Sequence, residues 1–244
     1  MLENLTAIPV PERVLIVYAH PDDAEFFAGG TLAKWAQAGA HLTLLLVTSG
    51  DKGSGDLTLL DGQQLARQRE AESHSAARRL GIQEVIFLRG RDGEQYPNLA
   101  LRRHIARFIR LKQPDAVMSS DPLLRYRDSS RANHPDHYAV AEAVLNAVFP
   151  AARDHLNFPE LFRDEGLAPY KVAWLYLALA LEPNYRVDVT DTWQDKVEAL
   201  QCHASQVGEP AAFAERMRDR FDPIYTLDAE HPRYVEHFRV LKLA

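Results

Sequence analysis

Cysteine is nearly absent: among 244 residues there is one, Cys202. That excludes an intrachain disulfide and a Cys-rich structural zinc site, and it suits a reducing cytoplasm. Any metal must be held by histidine and carboxylate. Long apolar runs are missing too. The longest, such as 172–181, fall far short of the roughly 20 residues a spanning helix needs. Residues 1–11 include the acidic Glu3 but no basic stretch and no apolar core, so no signal peptide is expected. There is no basic excess: the formal net charge is −6, which argues against nucleic acid or an anionic lipid surface as partner. No internal repeat, low-complexity tract or Gly/Ser linker is visible. What is there is ordinary for a globular chain, 46% hydrophobic and 25% charged. The length suits one domain spanning 1–244, with a core large enough to need no disulfide staples.

The first 150 residues alternate strand and helix signals. Short β-branched apolar runs at 13–18, 41–48, 84–88 and 115–119 read as buried strands. Helical patterns fill 26–37, 63–80, 99–112 and 138–148. Gly81 stands where a left-handed residue ends the second helix, and Gln113-Pro114 stops the third. This order predicts an α/β fold, a Rossmann-like, mostly parallel sheet with helices on both faces, over about 13–150. A smaller C-terminal extension is expected over about 170–244, with strands at 172–177 and 186–189, helices at 193–203 and 211–220, and an edge strand at 235–241. In such sheets ligands bind beyond the carboxyl ends of the strands.

Two histidine–aspartate clusters fall at those ends. Ala19-His20-Pro21-Asp22-Asp23-Ala24-Glu25 follows the first strand, and Asn133-His134-Pro135-Asp136-His137 follows the fourth. His20 and Asp23 are three apart, as are His134 and His137, a spacing that puts both side chains on one side of a helical turn. Two imidazoles and one carboxylate from these clusters make the three-ligand set of a catalytic zinc site, with a position left for water. Zinc lowers the pKa of a bound water to about 7. A neighbouring carboxylate then takes its proton during attack on a carbonyl carbon, and a donating side chain stabilises the oxyanion. Adjacent Asp22 and Asp23 point in different directions, so one ligates and the other faces the water; spacing leaves open which. A lone His-Pro-Asp is often only a turn with a helix cap, but two at predicted carboxyl ends favour a metal site.

At these residues the chain resembles the LmbE/PIG-L family of zinc-dependent N-deacetylases. The first cluster with Gly29-Gly30-Thr31-Leu32 is similar to that family's first motif, and His134-Pro135-Asp136-His137 to its second. Arg67 and Glu70 match an R-x-x-E helix running on to Ala76, Leu80 and Gly81; Asp92-Gly93 follows the third strand; and Lys196 through His203-Ala204-Ser205-Gln206 resembles a late segment. The likeness covers about residues 13–206. It implies a metal held by His20, Asp23 and His137, Asp22 as general base, and His134 as oxyanion stabiliser oriented by Asp136. Arg67 and Asp92 would contact sugar hydroxyls. It implies Zn2+, although Fe2+ or another divalent transition metal suits the same donors, and a small N-acetylated amino sugar or conjugate as partner. It leaves room for a homo-oligomer, to which the apolar 149–162 region could contribute.

Several features remain outside that reading. Arg125, Arg127 and Arg131 could bind an anionic group or form a solvated basic loop. Gly29-Gly30 lacks the G-x-G-x-x-G context of a dinucleotide site, which argues against a dinucleotide-dependent oxidoreductase, and is expected to allow close helix packing. The Gly-rich loop 49–56 lacks a following Gly-Lys-Ser/Thr, so it is no P-loop. His203 could approach the site or be a buried, hydrogen-bonded histidine. The competing functions are an amidase acting on a larger acyl group or a thiol-sugar conjugate, and a non-catalytic sugar or nucleotide binder. Against the binder, it would not need the acid–base pair Asp22 and His134.

Overall fold

The computed structural model describes residues 8–226, 228 and 230–243, with the side chains of 127 and 128 excepted. The expectations that fall on residues 1–7 and on the Arg127 side chain therefore lie outside the described residues. The elements run β1 (Arg13–Tyr18), α1 (Asp23–Gln37), β2 (His41–Thr48), α2 (Gly62–Leu80), β3 (Glu84–Gly90), α3 (Leu99–Lys112) and β4 (Ala116–Ser120). A small hairpin follows, β5 (Tyr126–Asp128) with β6 (Arg131–Ala132), then α4 (Pro135–Asn146) and α5 (Pro159–Arg163). The last third holds β7 (Trp174–Ala178), β8 (Tyr185–Asp188), α6 (Trp193–Gln201), α7 (Ala204–Val207), α8 (Pro210–Arg218) and β9 (Val235–Lys242).

Seven strands form one sheet in the order β3-β2-β1-β4-β7-β9-β8. β3, β2, β1, β4 and β7 are parallel, and β9 and β8 join antiparallel. The expected edge strand at 235–241 is interior: β9 lies between β7 and β8, and β8 is the edge. The alternation of side chains along an eight-residue strand reads the same for an edge as for an interior position, so only the pairing decides.

β1 explains why the sheet is buried on both faces. Val14, Ile16 and Tyr18 pack into one core with α1, α2 and β9 residues, while Leu15 and Val17 pack into a second with α3 and α4 residues. Each such fully buried aliphatic side chain contributes about 1.5–3 kcal/mol. Helix ends follow the capping residues: Asp61 accepts from the Gln63 amide at the start of α2, and Asn98 from Leu101 at the start of α3. α1 and α4 begin three residues before the expected 26 and 138, because their acidic and His-Pro first turns are already helical. α6 ends at Gln201, so His203 is not in it but stands just before the short α7, with no side-chain hydrogen bond to that helix. Among the described residues no helix is long and apolar enough to cross a membrane.

The order of the first four strands places β2 and β3 on one side of β1 and β4 on the other. The strand order reverses at β1 and β4, and the crevice beyond their carboxyl ends is where an open α/β sheet binds its ligand.

Candidate active site

Both histidine clusters meet in that crevice. His20 leaves the end of β1, Asp23 opens α1, and His134 caps α4, its Nδ1 accepting from the Asp136 amide at 3.2 Å. Between them Asp22 has φ of 93°, in the left-handed region that an aspartate seldom enters. The turn sends consecutive carboxylates to different places. Asp23 faces the histidines; Asp22 faces Arg69, with Oδ2 to Nη2 at 3.4 Å.

Three donor groups meet here, two imidazoles and the Asp23 carboxylate, which turns one oxygen to each histidine. His20 Nδ1 lies 3.2 Å from His137 Nε2, His137 Nε2 lies 3.0 Å from Asp23 Oδ1, and His20 Nδ1 lies 3.5 Å from Asp23 Oδ2. Tetrahedral ligands about 2.0–2.1 Å from a zinc ion stand roughly 3.3 Å apart, so this donor set fits a divalent metal in both spacing and chemistry. His134 also brings a ring nitrogen to within 4.8 Å of those of His20 and His137, and a wider grouping joins His20, Asp92, His134 and Asp136.

The far sides of the rings are held as metal-ligating imidazoles usually are. His20 Nε2 reaches Asp92 Oδ1 at 3.0 Å and Asp136 Oδ2 at 3.2 Å. His137 Nδ1 meets Asn133 Oδ1 at 3.0 Å. Asp136 is fixed in turn by the amides of Gly93 (2.8 Å) and Gln95 (3.1 Å). Electrostatics follow from this crowding. Burial alone would lower the His20 pKa, but hydrogen bonds to Asp136, Asp23 and Asp92 outweigh it and push it up to about 12. Burial likewise pushes Asp23 up, yet His137 and His20 overcome it and hold the carboxyl well below its ordinary value. Asp22 goes the other way: burial, with Asp23 and Glu25, raises it to about 7 against the pull of Arg69 and His203. Burial and the neighbouring His20 lower the His134 pKa. With Nδ1 accepting from the Asp136 amide, neutral His134 carries its proton on Nε2, the nitrogen 3.7 Å from Asp92 Oδ1.

A cavity of about 430 Å³ opens on this cluster, lined by His20, Asp22, Asp23, Phe26, Phe27, Gly53, Arg69, Asp92, His134, His137, Leu179, Gln206 and Arg220. Seven of the eight residues singled out in the sequence are thus brought together, Asp136 from behind His20. Two expectations need correction. The Asp136 carboxylate does not orient His134; it takes His20, and only its backbone amide reaches His134. Arg67 is not in the cavity: its side chain is 69% exposed, 3.8 Å from Asp61, on a neighbouring hollow with Arg89 and Arg91. Positions 67 and 69 point to nearly opposite sides of α2, and the buried stripe is Leu65, Arg69, Ser73, Ala76 and Leu80. Arg69 is the arginine delivered to the site. It donates to Pro21 O at 2.8 Å and Gly50 O at 3.3 Å. Gly50 has φ of 66°, and a Cβ there would sit 2.3 Å from Arg69 Nη1, so only glycine fits. An arginine on an otherwise uncharged stripe was the signal that would have found it. Asn133, four residues before His137, was the other omission.

His203 is fully buried and lies behind the cavity, 3.5 Å from the buried Glu25. Arg125 stacks on Tyr138 with 4.0 Å between guanidinium and ring centre. Gly29 and Gly30 serve close packing: a Cβ on Gly30 would meet Val189 Cβ at 2.6 Å and one on Gly29 would meet Lys196 Cγ at 3.0 Å.

Fold and site together define an α/β protein of the open, mostly parallel sheet class with a His/Asp cluster able to hold a metal at the sheet's carboxyl edge. The family described as GlcNAc-PI de-N-acetylase (PIG-L) matches residues 15–148, and this chain belongs to it. The chain is 31% identical over 198 residues to the diacetylchitobiose deacetylase of Thermococcus kodakarensis, covering 81% of this chain and 71% of that one. It is 30% identical to the 1D-myo-inositol 2-acetamido-2-deoxy-alpha-D-glucopyranoside deacetylase of Kineococcus radiotolerans, over 72% of this chain, and spans 54%, about half, of that relative's length. The solved N,N'-diacetylchitobiose deacetylase of Pyrococcus horikoshii superposes with a TM-score of 0.83 at 30% identity, covering 99% of this chain and 87% of that one.

Proposed function

We propose that this protein is a zinc-dependent N-deacetylase acting on an N-acetylglucosamine-type sugar or sugar conjugate, which it converts to acetate and a free amine. One observation carries this reading: the donor set of His20, Asp23 and His137 lies in the same cavity as two groups it does not use, Asp22 and His134. Two imidazoles and a carboxylate are a donor set for zinc, with Fe2+ and other divalent transition metals as competitors. A bound zinc ion supplies Lewis-acid activation of water and of the amide carbonyl.

The chain's own groups do the rest. Asp22, with a pKa near neutrality, accepts the proton of the attacking water and returns it to the departing amine nitrogen. Arg69 holds the Asp22 carboxylate, which is half-buried in the cavity wall. Neutral His134 donates from Nε2 to the oxygen that becomes negatively charged on attack. Asp136 aligns His20 by its carboxylate and His134 by its amide. Asp92 shares Oδ1 with His20 and leaves Oδ2 toward Gly53, where it takes a sugar hydroxyl. The cavity wall runs from His20 to Arg220, so the chain acts as one unit.

The test is acetate release from a panel of N-acetylglucosaminyl compounds by zinc-loaded protein and its Asp22→Asn variant. Wild type should release acetate, and the variant should be slower by about 10² or more with its zinc content unchanged. Near-wild-type rates from a zinc-replete Asp22→Asn protein would sink the assignment of the base.

A further inference from the structure

The cavity does not end at the His/Asp cluster. A second compartment, of about 340 Å³, shares Phe26, Phe27, Leu179 and Arg220 with the first. β9 runs antiparallel to β7, so its first residues, Val235 to His237, lie beyond the carboxyl end of β7 and help to close this space. Leu179, just past β7, has φ of 55°. A leucine seldom takes that left-handed conformation, and strain of this kind collects where a wall must be aimed at a ligand. Trp193 forms another wall, stacked on Tyr234 with ring centres 4.1 Å apart.

The polar groups around this compartment are mostly committed. Lys196 Nζ donates to Glu236 at 2.6 Å and to Phe26 O at 2.9 Å. His237 Nε2 lies 2.9 Å from Asp222. Around the neighbouring mouth, Arg69 faces Asp22, Arg67 faces Asp61 and Arg89 holds Glu70. Arg220 differs: it borders both compartments, is exposed, and forms no ion pair with the described residues. A guanidinium without a carboxylate, over aromatic walls that cover ring carbons, is a receptor for a planar anion beside a sugar ring.

We propose that this second compartment is the subsite for the group attached to the N-acetylated ring, and that Arg220 selects conjugates in which that group carries a carboxylate or a phosphate. The proposal rests on the deacetylase reading for the position of the reacting amide. Arg220 acts on binding and leaves the chemistry to the first compartment. Removing its charge therefore acts on KM and not on kcat.

The experiment compares N-acetylglucosaminyl malate, N-acetylglucosamine 1-phosphate and the neutral N,N'-diacetylchitobiose as substrates for the zinc-loaded wild type, Arg220→Gln and Arg220→Lys. Wild type should favour one of the anionic compounds over the neutral one, and the arm that wins identifies carboxylate or phosphate. Arg220→Gln should raise KM for that compound by roughly tenfold or more, keep its kcat within about twofold, and raise KM for the neutral disaccharide by much less. Arg220→Lys should recover part of the loss. An anionic-to-neutral ratio unchanged in Arg220→Gln, or a wild type that prefers the neutral disaccharide, overturns the proposal. Calorimetric binding of the deacetylated products, glucosaminyl malate and glucosamine 1-phosphate, separates it from the catalytic reading. If no compound is turned over but one of these products binds wild type and not Arg220→Gln, the subsite stands and the deacetylase reading falls. If neither product binds wild type, the subsite falls whatever the activity.

Discussion

Neighbouring residues of the same type have unlike fates in this site, and the backbone decides which. Asp22 and Asp23 are adjacent carboxylates, but the left-handed turn at Asp22 aims one at Arg69 and the other at two histidines. Their pKa values move in opposite directions accordingly, up for the half-buried Asp22 and down for Asp23. Arg67 and Arg69 divide in the same way, by helical period. Replacing Arg69 with alanine removes the partner of Asp22 and the hydrogen bonds to the Pro21 and Gly50 carbonyls, and should lower the deacetylation rate by about tenfold or more. Arg67→Ala should change the rate by less than about twofold, because an exposed pair with Asp61 contributes little. Steady-state rates on one N-acetylated sugar compare the two; equal losses would show that Arg67 reaches the substrate after all. Asn133 acts one step further out, through His137 Nδ1. Asn133→Ala should weaken zinc affinity by about 10–100-fold, as read by competition with a chromogenic chelator. Unchanged affinity would mean that His137 is aligned without it.

Elements hold these residues in place by contacts far from the chemistry. The middle of α1 is gripped by β9 and α6. Glu236 accepts from the Gly30 and Thr31 amides at 3.1 and 2.8 Å, Lys196 reaches the Phe26 carbonyl, and Thr192 Oγ1 donates to Gly30 O at 2.8 Å. Gly30→Ala would drive a methyl into Val189 and should cost about 1–3 kcal/mol, measured by urea denaturation; a neutral effect would show that Val189 can step aside. On the opposite face, Arg110 of α3 is 1% exposed and donates to the carbonyls of Ala151, Ala152, Asp154 and Asn157. This guanidinium caps the turn that follows α4. Arg110→Leu strands four carbonyls and should destabilise by about 3 kcal/mol or more, and a loss under about 1 kcal/mol would mean that water satisfies them.

At the scale of the whole molecule, the site exists because the strand order reverses at the parallel pair β1 and β4. His20 and His137 are 117 residues apart in the chain and 3.2 Å apart in space. A metal at this junction ties the start of α1 to the start of α4, so it should stabilise the native state. Zinc at about 100 times its dissociation constant adds roughly 2.7 kcal/mol. Stripping it with a chelator should lower the thermal midpoint, and re-addition should restore it; scanning calorimetry with an unchanged midpoint would refute that linkage. The sequence by itself determined the strands of the parallel core and both metal-type motifs, since buried strands have continuous β-branched runs and His-Pro-Asp turns have a fixed spacing. It also showed that any metal would need histidine and carboxylate, because Cys202 stands alone. What it misassigned or missed were particular relations between distant segments: that β9 is interior, that Arg69 and not Arg67 enters the cavity, that Asp136 serves His20, and that Asn133 steadies His137. Local pattern reports which face of an element is buried. Which partner that face meets depends on strand order and helix rotation, and those are set only when the whole chain packs.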